Sequence, residues 1–318
     1  MSTSTETQRP SDDVSGGQHR PRSLKERVLG KQPLGMVFSA PYALFLVVVF
    51  AYPFGLAVWI SFHDYIFTAP NVTVPHPFVG LQNYVTALTD PAVLRSFLNT
   101  LIFLVINVPV TVVLSIVLAS ALNTGIRWAS VFRVAFYVPY VTASVSLIGV
   151  WLLLFSQGGL INSILGPLAP NPSWLINSKL AMPSIAIYVA WKQLGFYILL
   201  YLAALQAIPK ELYEAASIDG SGTIGKFWNV TVPGVRAATV LVLILAIITG
   251  ANLFTEPYLL TNGGGPDGAS ATPVLLIYQK ALQQTNPDVA SAIGVILVIA
   301  VGILATLANR VGGGGGDE

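Results

Sequence analysis

Apolar residues occur in six long blocks, which are separated by shorter and more polar stretches. The blocks cover residues 36–62, 97–122, 131–155, 180–207, 237–260 and 289–309. Each block is long enough to cross a hydrocarbon layer about 30 Å thick as an α-helix, which takes about 20 residues. Backbone polar groups find no water inside a bilayer, so such blocks satisfy them internally as helices. The pattern predicts an all-α, polytopic membrane protein with six transmembrane helices.

Composition supports this prediction and narrows the chemistry of the chain. Of 318 residues, 54% are hydrophobic and 9% are charged, whereas soluble domains carry about 25% charged residues. Cysteine is absent, and His19, His63 and His76 lie outside the apolar runs. Neither thiol chemistry nor a metal site is therefore expected. Clusters of acids, bases or nucleophiles near the membrane are also missing, so we expect a protein that is not an enzyme.

Positive charges predict the orientation in the membrane. If the N-terminus is cytoplasmic, twelve Lys and Arg residues lie inside and three, Arg95, Lys179 and Lys280, lie outside, with Lys192 within a span. This bias favours a multi-pass protein of the bacterial inner membrane with both termini in the cytoplasm. The expected organisation is a disordered cytoplasmic tail over 1–33, a membrane domain over 34–310 with a loop at 209–236, and a Gly-rich tail over 311–318.

The loop between the fourth and fifth blocks predicts two short helices. Pro209 suits the first turn of the first helix, and Gly220 suits the left-handed residue that ends it. In the second helix, Thr223 is expected as the N-cap and Pro233 as the stop. The run of residues 220–226 fits the start of a phosphate-binding loop, but Phe227 replaces the required Ser or Thr and no strand is expected before it.

The spacing of this loop resembles the EAA loop of bacterial ABC importer permeases. Glu214-Ala-Ala is followed after three residues by Gly220, and after nine more by Val230-Thr-Val-Pro233. The segments 78–84, 201–209 and 260–266 are similar to the sugar-importer branch of that family, specifically to its maltose-type first permease subunit. The resemblance covers roughly residues 36–310.

This resemblance implies a type I ABC importer permease fold and an ATP-driven carbohydrate importer. The residues that it assigns to coupling with an ATPase are Glu214, Ala215, Ala216, Asp219, Gly220 and Pro233. The implied partners are a second permease subunit, two copies of a cytoplasmic ATPase, an extracytoplasmic sugar-binding (lipo)protein, the sugar and membrane lipid, with no nucleic acid. No cofactor is expected in this chain, since Mg-ATP belongs to the partner ATPase subunits.

Two charged residues lie within apolar blocks and need an interior position. A charge at the centre of a bilayer costs at least about 2.5–3.5 kcal/mol, so Lys192 and Glu256 are expected to face the helix bundle. The side chains nearby that suit a sugar pathway are Trp191, Gln193, Tyr197, Asn252, Glu256 and Tyr258. An interhelical ion pair or a packing network is the alternative for each of them.

The expected function is that of a permease subunit that forms half of a translocation pathway. An ion-coupled secondary carrier is the alternative. Such carriers are typically built from internal repeats, and no strong repeat occurs in this sequence. The sequence does not identify the sugar.

Overall fold

The computed structural model describes residues 33–68, 72, 74–125 and 127–313. Of the two expected tails, residues 1–32 and 314–318 lie outside this part of the chain, and the last helix continues to Gly313. Secondary structure in the described part is helical apart from one isolated bridge between His63 and Phe78. The prediction of an all-α fold is confirmed.

Fifteen α-helices follow one another in the described part of the chain. They are α1 (Pro33–Leu46), α2 (Tyr52–Ser61), α3 (Gln82–Thr89), α4 (Pro91–Asn123), α5 (Ala129–Val141), α6 (Ser144–Phe155), α7 (Leu160–Leu165), α8 (Ala181–Gln206), α9 (Lys210–Ile218), α10 (Thr223–Lys226), α11 (Val232–Gly234), α12 (Arg236–Ala251), α13 (Thr255–Leu260), α14 (Pro273–Tyr278) and α15 (Pro287–Gly313). Three π-helices, Val47–Ala51, Phe227–Thr231 and Gln279–Gln283, interrupt or extend these helices.

Among the described residues, five helices are long and apolar enough to cross a membrane. They are Phe38–Ser61, Pro91–Asn123, Ser144–Leu168, Ala181–Gln206 and Pro287–Arg310. A sixth span results when Thr223–Gly234 and Arg236–Ala251, which meet at an angle of 68°, are counted together. The described residues thus hold five or six such helices, against six predicted, and two of the predicted spans differ from the prediction in their course.

The third and fifth predicted spans are broken helices. The third, 131–155, is interrupted at Thr142, whose backbone is extended, and Ala143, whose backbone is also not helical. The fifth, 237–260, is interrupted after Ala251, and α13 begins only at Thr255. Hydropathy stays high across both breaks, so the apolar pattern alone does not reveal them.

The chain divides into two compact units, Met1–Gly55 and Leu56–Glu318. In the first unit, every side chain of residues 38–55 is exposed, although nearly all of them are apolar. A helix that is apolar on all sides and not covered by protein is typical of contact with lipid.

The second unit is organised around α8. Of its most apolar stretch, 61% is buried, and α4 packs along its length. Two core clusters lie on this pair of helices, one around Phe103 and Tyr188 and the other around Leu122 and Tyr201. The pair α4–α8 is therefore the structural centre of the unit.

Gly195 allows α8 to approach α5 at backbone distance. A Cβ atom at this position would lie 2.1 Å from the carbonyl oxygen of Phe136 and 2.7 Å from the Cα atom of Tyr137. Backbone atoms cannot rotate away as a side chain can, so no residue larger than glycine fits here. The contact fixes α5 directly against α8.

Two of the π-helices end two residues before a proline. Val47–Ala51 precedes Pro53, and Phe227–Thr231 precedes Pro233. Proline in an α-helix lacks an N–H group and its ring clashes with the carbonyl four residues earlier. The wider π turn moves that carbonyl, so both helices continue past the proline.

Candidate functional site

The first candidate region is the EAA segment, residues 209–236, which begins with α9. Pro209 is the N-cap of α9 and so precedes the first turn rather than lying within it. Gly220 has a φ of +78°, as its predicted role at the end of the helix requires. The amide of Gly220 donates to Ser217 at 3.1 Å, and that of Ser221 donates to Ala216 at 2.9 Å. These two bonds form a Schellman motif, which closes the helix end without any other element.

The surface of α9 is almost entirely uncovered. None of its residues is buried, and Ile218 is 87% exposed. Glu214 and Ala215 are exposed, Ala216 is half-buried, and Asp219 is exposed beside Gly220. On α9, small and apolar side chains are exposed beside polar ones. Such a surface suits contact with a protein partner.

The second helix of the EAA segment is longer than the sequence predicts. Gly222, not Thr223, is its N-cap, and the helix continues through the π turn to Gly234 with Pro233 inside it. The predictions of Thr223 as a cap and Pro233 as a stop are therefore wrong. The chain bends at Val235, where φ is −100° and ψ is 14°. The π turn described above explains why proline does not end the helix.

The EAA segment is tied together and to the bundle at a few points. The hydroxyl groups of Tyr213 and Thr231 lie 3.0 Å apart and join its two helices, while Val235 is fully buried. Lys226 borders a cavity of about 320 Å³ beneath the segment. Residues 220–226 form the end of one helix and the start of the next, and no strand precedes them in the described chain. A phosphate-binding loop is thus absent there.

The second candidate region surrounds an ion pair inside the bundle. The Nζ atom of Lys192 lies 3.8 Å from Oε1 of Glu256, and the two side chains are only 15% and 12% exposed. Lys192 also donates to the hydroxyl of Ser144 at the start of α6. Both charges face the interior, as expected, and they connect α6, α8 and α13. The alternative of an interhelical ion pair is therefore present in the structure.

Aromatic rings cluster on α6 and α8, the helices that carry Ser144 and Lys192. The ring of Trp151 lies 5.3 Å from both Tyr188 and Trp191. Tyr188 is fully buried, and its hydroxyl has no hydrogen-bond partner among the described residues. Trp191 is exposed at the surface of α8. This region of the bundle therefore contains three aromatic rings and the oppositely charged pair of Lys192 and Glu256.

The remaining predicted pathway residues separate into two groups. Tyr197 is 2% exposed and packs in the core cluster around Tyr201, with its hydroxyl 3.3 Å from Oε1 of the half-buried Gln193. Neighbouring helices cover its ring, so the assignment of Tyr197 to a sugar pathway stays a prediction that its burial does not support. Asn252 is exposed, but its amide donates to Ile248 of its own helix at 2.8 Å. Tyr258 is 36% exposed.

The third region is the glycine segment, residues 252–286, which follows α12 and whose folded structure the sequence does not predict. Positive φ angles occur at Asn262, Gly263, Gly264, Gly265, Asp267 and Gly268. Buried side chains hold the segment: Thr261 and Ser270 are 2.6 Å apart, and Thr272 donates to Leu253 at 2.5 Å. The run of three glycines is the only sequence signal for this compact turn.

Polar contacts attach the glycine segment to α4. The amide of Asn99 donates to the carbonyl groups of Gly268 at 2.8 Å and Ala271 at 2.9 Å. Asp90, the N-cap of α4, accepts from Lys280 at 2.7 Å and from the amide of Ala92 at 2.9 Å. Partial burial raises the pKa of Asp90, but its bonds to Lys280 and Ala92 outweigh this and lower the pKa below its ordinary value.

Comparisons with known proteins agree with this architecture. The family described as "Binding-protein-dependent transport system inner membrane component" matches residues 84–311. The arabinooligosaccharides transport system permease protein AraP of Bacillus subtilis (strain 168) is 33% identical over 290 residues, which cover 89% of this chain and 90% of that protein. The sn-glycerol-3-phosphate transport system permease protein UgpA of Yersinia pestis is 32% identical over 269 residues, covering 82% and 90%.

A solved structure shares the fold. One chain of the crystal structure of a bacterial alginate ABC transporter in complex with alginate pentasaccharide-bound periplasmic protein superposes with a TM-score of 0.74 at 20% identity, covering 90% of this chain and 96% of that chain. The ion-coupled carrier gains no support from any of these similarities. The protein belongs to the binding-protein-dependent transport system inner membrane components, the multi-pass permease subunits of ABC importers.

Proposed function

We propose that this chain forms half of the translocation pathway of a carbohydrate importer and receives the energy of ATP through its EAA segment. The observation that carries the proposal is the uncovered surface of α9, whose end is closed by its own hydrogen bonds. A helix with no buried residue that still keeps a fixed shape suits insertion into a cleft of another protein. The named substrate of the relative AraP, arabinooligosaccharides, supports a carbohydrate as the cargo.

The partners follow from this arrangement. Two copies of a cytoplasmic ATPase, which bind Mg-ATP, would hold α9 and its counterpart on a second permease subunit. An extracytoplasmic sugar-binding (lipo)protein would deliver the sugar, as supported by the periplasmic protein in the related alginate transporter structure. The EAA segment must then be cytoplasmic. Both termini lie on that side as well if the six apolar segments all cross the membrane, and this agrees with the distribution of Lys and Arg.

Docking would use the residues of the EAA motif. Ala215 and Ala216 allow the partner to approach the backbone of α9, and Glu214 offers a carboxylate to it. Asp219 and Gly220 form the helix end, where the φ of +78° at Gly220 keeps the exposed tip in place. Pro233 acts indirectly, through the π turn that sets the course of the second helix toward α12.

The pathway would pass the ion pair of α8 and α13. Trp191 and Tyr258 offer aromatic faces, and Gln193, Asn252 and Glu256 offer planar hydrogen-bonding groups, a combination that suits sugars. Tyr197 is left out of this set because it is buried in the core. A second permease subunit would close the other half of the pathway.

Transport in reconstituted vesicles tests the proposal. The complex of this chain with its permease partner, ATPase and binding protein should accumulate a neutral oligosaccharide only when ATP is supplied. Ala215→Asp places a charge on the docking face and should abolish uptake, whereas Ala215→Ser, which adds one oxygen without charge, should retain most of it. Uptake that persists in Ala215→Asp would refute the docking surface, and uptake driven by an ion gradient without ATP would refute the importer.

A further inference from the structure

We propose that the glycine segment carries a separate binding cleft for a neutral oligosaccharide, formed by Tyr258, Asn262, Gln279 and Gln283. This inference rests on the proposed function and adds a cleft whose lining contains neither Lys192 nor Glu256. The glycine segment follows α12, whereas the EAA segment precedes it, so the cleft lies at the end of α12 opposite the EAA segment.

The cleft has the size of a small-ligand site. Its volume is about 380 Å³, and its lining consists of Tyr258, Leu259, Asn262, Gly263, Gln279 and Gln283. Ligand pockets commonly measure about 300–1,000 Å³. None of the lining residues is charged. The shape and the lining therefore fit one or two rings of a neutral, hydroxyl-rich molecule.

A neighbouring cleft differs in charge and helps to define the ligand. It has a volume of about 350 Å³, shares Gly263 and Gln279 with the first cleft, and contains Arg95, Asp267 and Lys280. An anionic sugar would favour the cleft that holds the two cations, since opposite charges attract. The uncharged cleft at Tyr258 is thus assigned to a neutral carbohydrate.

Tyr258 provides a fixed aromatic face. Its ring stacks on Phe254 at 5.4 Å with an interplanar angle of 13°, and Tyr278 meets it edge-on at 5.7 Å. The ring nevertheless remains 36% exposed. A ring held on one side and open on the other can receive the C–H face of a sugar with little loss of side-chain entropy.

Three amide side chains complete the recognition chemistry. An amide group supplies two donors and one acceptor, which together match neighbouring sugar hydroxyl groups. Gln279 is oriented by its bond to the carbonyl of Gly263 at 3.0 Å, which leaves its oxygen free to accept. Asn262 is held at a φ of +51°, a conformation that asparagine tolerates better than most residues. Gln283 is exposed at the edge of the cleft.

The test measures sugar binding by the assembled transporter in lipid nanodiscs, without its binding protein. Saturation-transfer NMR with maltotriose and arabinotriose, two neutral trisaccharides, detects weak contacts with aromatic side chains. We expect Tyr258→Ala to weaken binding of the trisaccharide with the higher affinity about tenfold. Tyr258→Phe should retain most of that affinity. Gln283→Ala should weaken binding about two- to tenfold through one lost hydrogen bond.

A matched control is available next to Gln283. Gln284 is the same residue type and also exposed, but it lines the neighbouring charged cleft. Gln284→Ala should therefore leave the dissociation constant unchanged. Equal effects of Gln283→Ala and Gln284→Ala would refute sugar binding in the cleft. So would a Tyr258→Ala variant that leaves the signals of both trisaccharides unchanged.

Two further outcomes separate this inference from the proposed function. If the wild-type complex imports sugar in an ATP-dependent manner but Tyr258→Ala binds the trisaccharides normally, the cleft is wrong and the importer stands. If Tyr258→Ala prevents assembly of the subunits while Gln283→Ala leaves sugar binding intact, the surface is a contact between subunits and the cleft is again refuted. Loss of ATP-dependent uptake in the wild type would instead refute the proposed function.

Discussion

The EAA segment and the glycine segment lie at opposite ends of α12 and are built in opposite ways. In the EAA segment, α9 has no buried residue and its shape depends on hydrogen bonds within its own backbone. In the glycine segment, Thr261, Ser270 and Thr272 are buried and bonded, and Leu275 is fully buried. One segment leaves its surface open, and the other fills its interior with its own side chains.

The difference indicates which property each segment controls. Changes on an uncovered surface remove a contact with a partner and leave the fold intact, whereas changes in a filled interior lower the stability of the chain itself. Transport and stability should therefore respond separately to substitutions in the two segments. The four predictions below test this separation, starting with the largest expected effect.

The largest effect is expected for Gly220→Val in the EAA segment. A β-branched residue at a φ of +78° costs about 1–3 kcal/mol, so the end of α9 should take another conformation. Uptake should fall by up to about a hundredfold, which corresponds to about 2.8 kcal/mol, while the melting temperature of the bundle changes little. Gly222→Val is the control, because Gly222 has a φ of −71° and open space around it. Equal uptake in both variants would show that the helix end is not needed.

Removal of Lys192 should affect both properties, since its ion pair joins α8 to α13. Lys192→Met leaves Glu256 unpaired among side chains that are mostly buried, and such losses cost about 3–5 kcal/mol in fully buried pairs. We expect a smaller loss of about 2 kcal/mol, because the two side chains keep 15% and 12% of their exposure. Yield and melting temperature should fall in the single variant Lys192→Met. Both should recover in the double variant that combines Lys192→Met with Glu256→Gln. A double variant that melts as low as the single one would argue against the pairing.

A smaller effect, confined to stability, is expected for Thr272→Val in the glycine segment. The substitution keeps the volume but removes the donor to the carbonyl of Leu253 and the acceptor for the amide of Leu275. Unpaired buried groups cost about 1–3 kcal/mol. Thermal unfolding should occur at lower temperature while ATP-dependent uptake per folded molecule is unchanged. Thr285→Val at an exposed position of the same segment is the control and should melt like the wild type.

The smallest effect is expected for Asp90, which holds the glycine segment to α4. Its pKa is lowered in the folded protein, so its stabilising contribution is complete above the pKa of the unfolded chain, about 3.9, and is lost as pH falls through the folded value. Asp90→Asn should lower the melting temperature slightly at pH 7, and the difference from the wild type should shrink toward pH 3. A difference that stays constant with pH would exclude the ionised pair with Lys280.

The sequence predicts the EAA segment better than the interior. Spacing and local turn chemistry are sufficient to place α9 and Gly220, because a helix end depends on residues that are close in the chain. The same local rules fail at Pro233, because they do not anticipate a π turn that accommodates the proline ring. Thr142 likewise ends a helix inside a block that remains apolar throughout.

The candidate site depends on contacts between distant parts of the chain. A single sequence indicates that Lys192 and Glu256 need interior positions, but it does not show that they pair with each other across 64 residues. It also does not distinguish Tyr197, which is packed in the core, from Tyr258, which remains accessible, since both are tyrosines in polar-flanked apolar runs. The fold of the glycine segment is equally hidden, because its turn over residues 262–268 depends on six residues with positive φ angles.

The contact of Gly195 with Phe136 has a consequence for motion during transport. Helices separated by long side chains can slide past each other by small rotamer changes, which is the basis of shear movements. Where backbone meets backbone, as at the 2.1 Å spacing for a Cβ atom of residue 195, no rotamer is available to absorb such a shift. We therefore expect α5 and α8 to move together at this contact, so that opening of the transporter is accommodated elsewhere, such as at the bend at Val235.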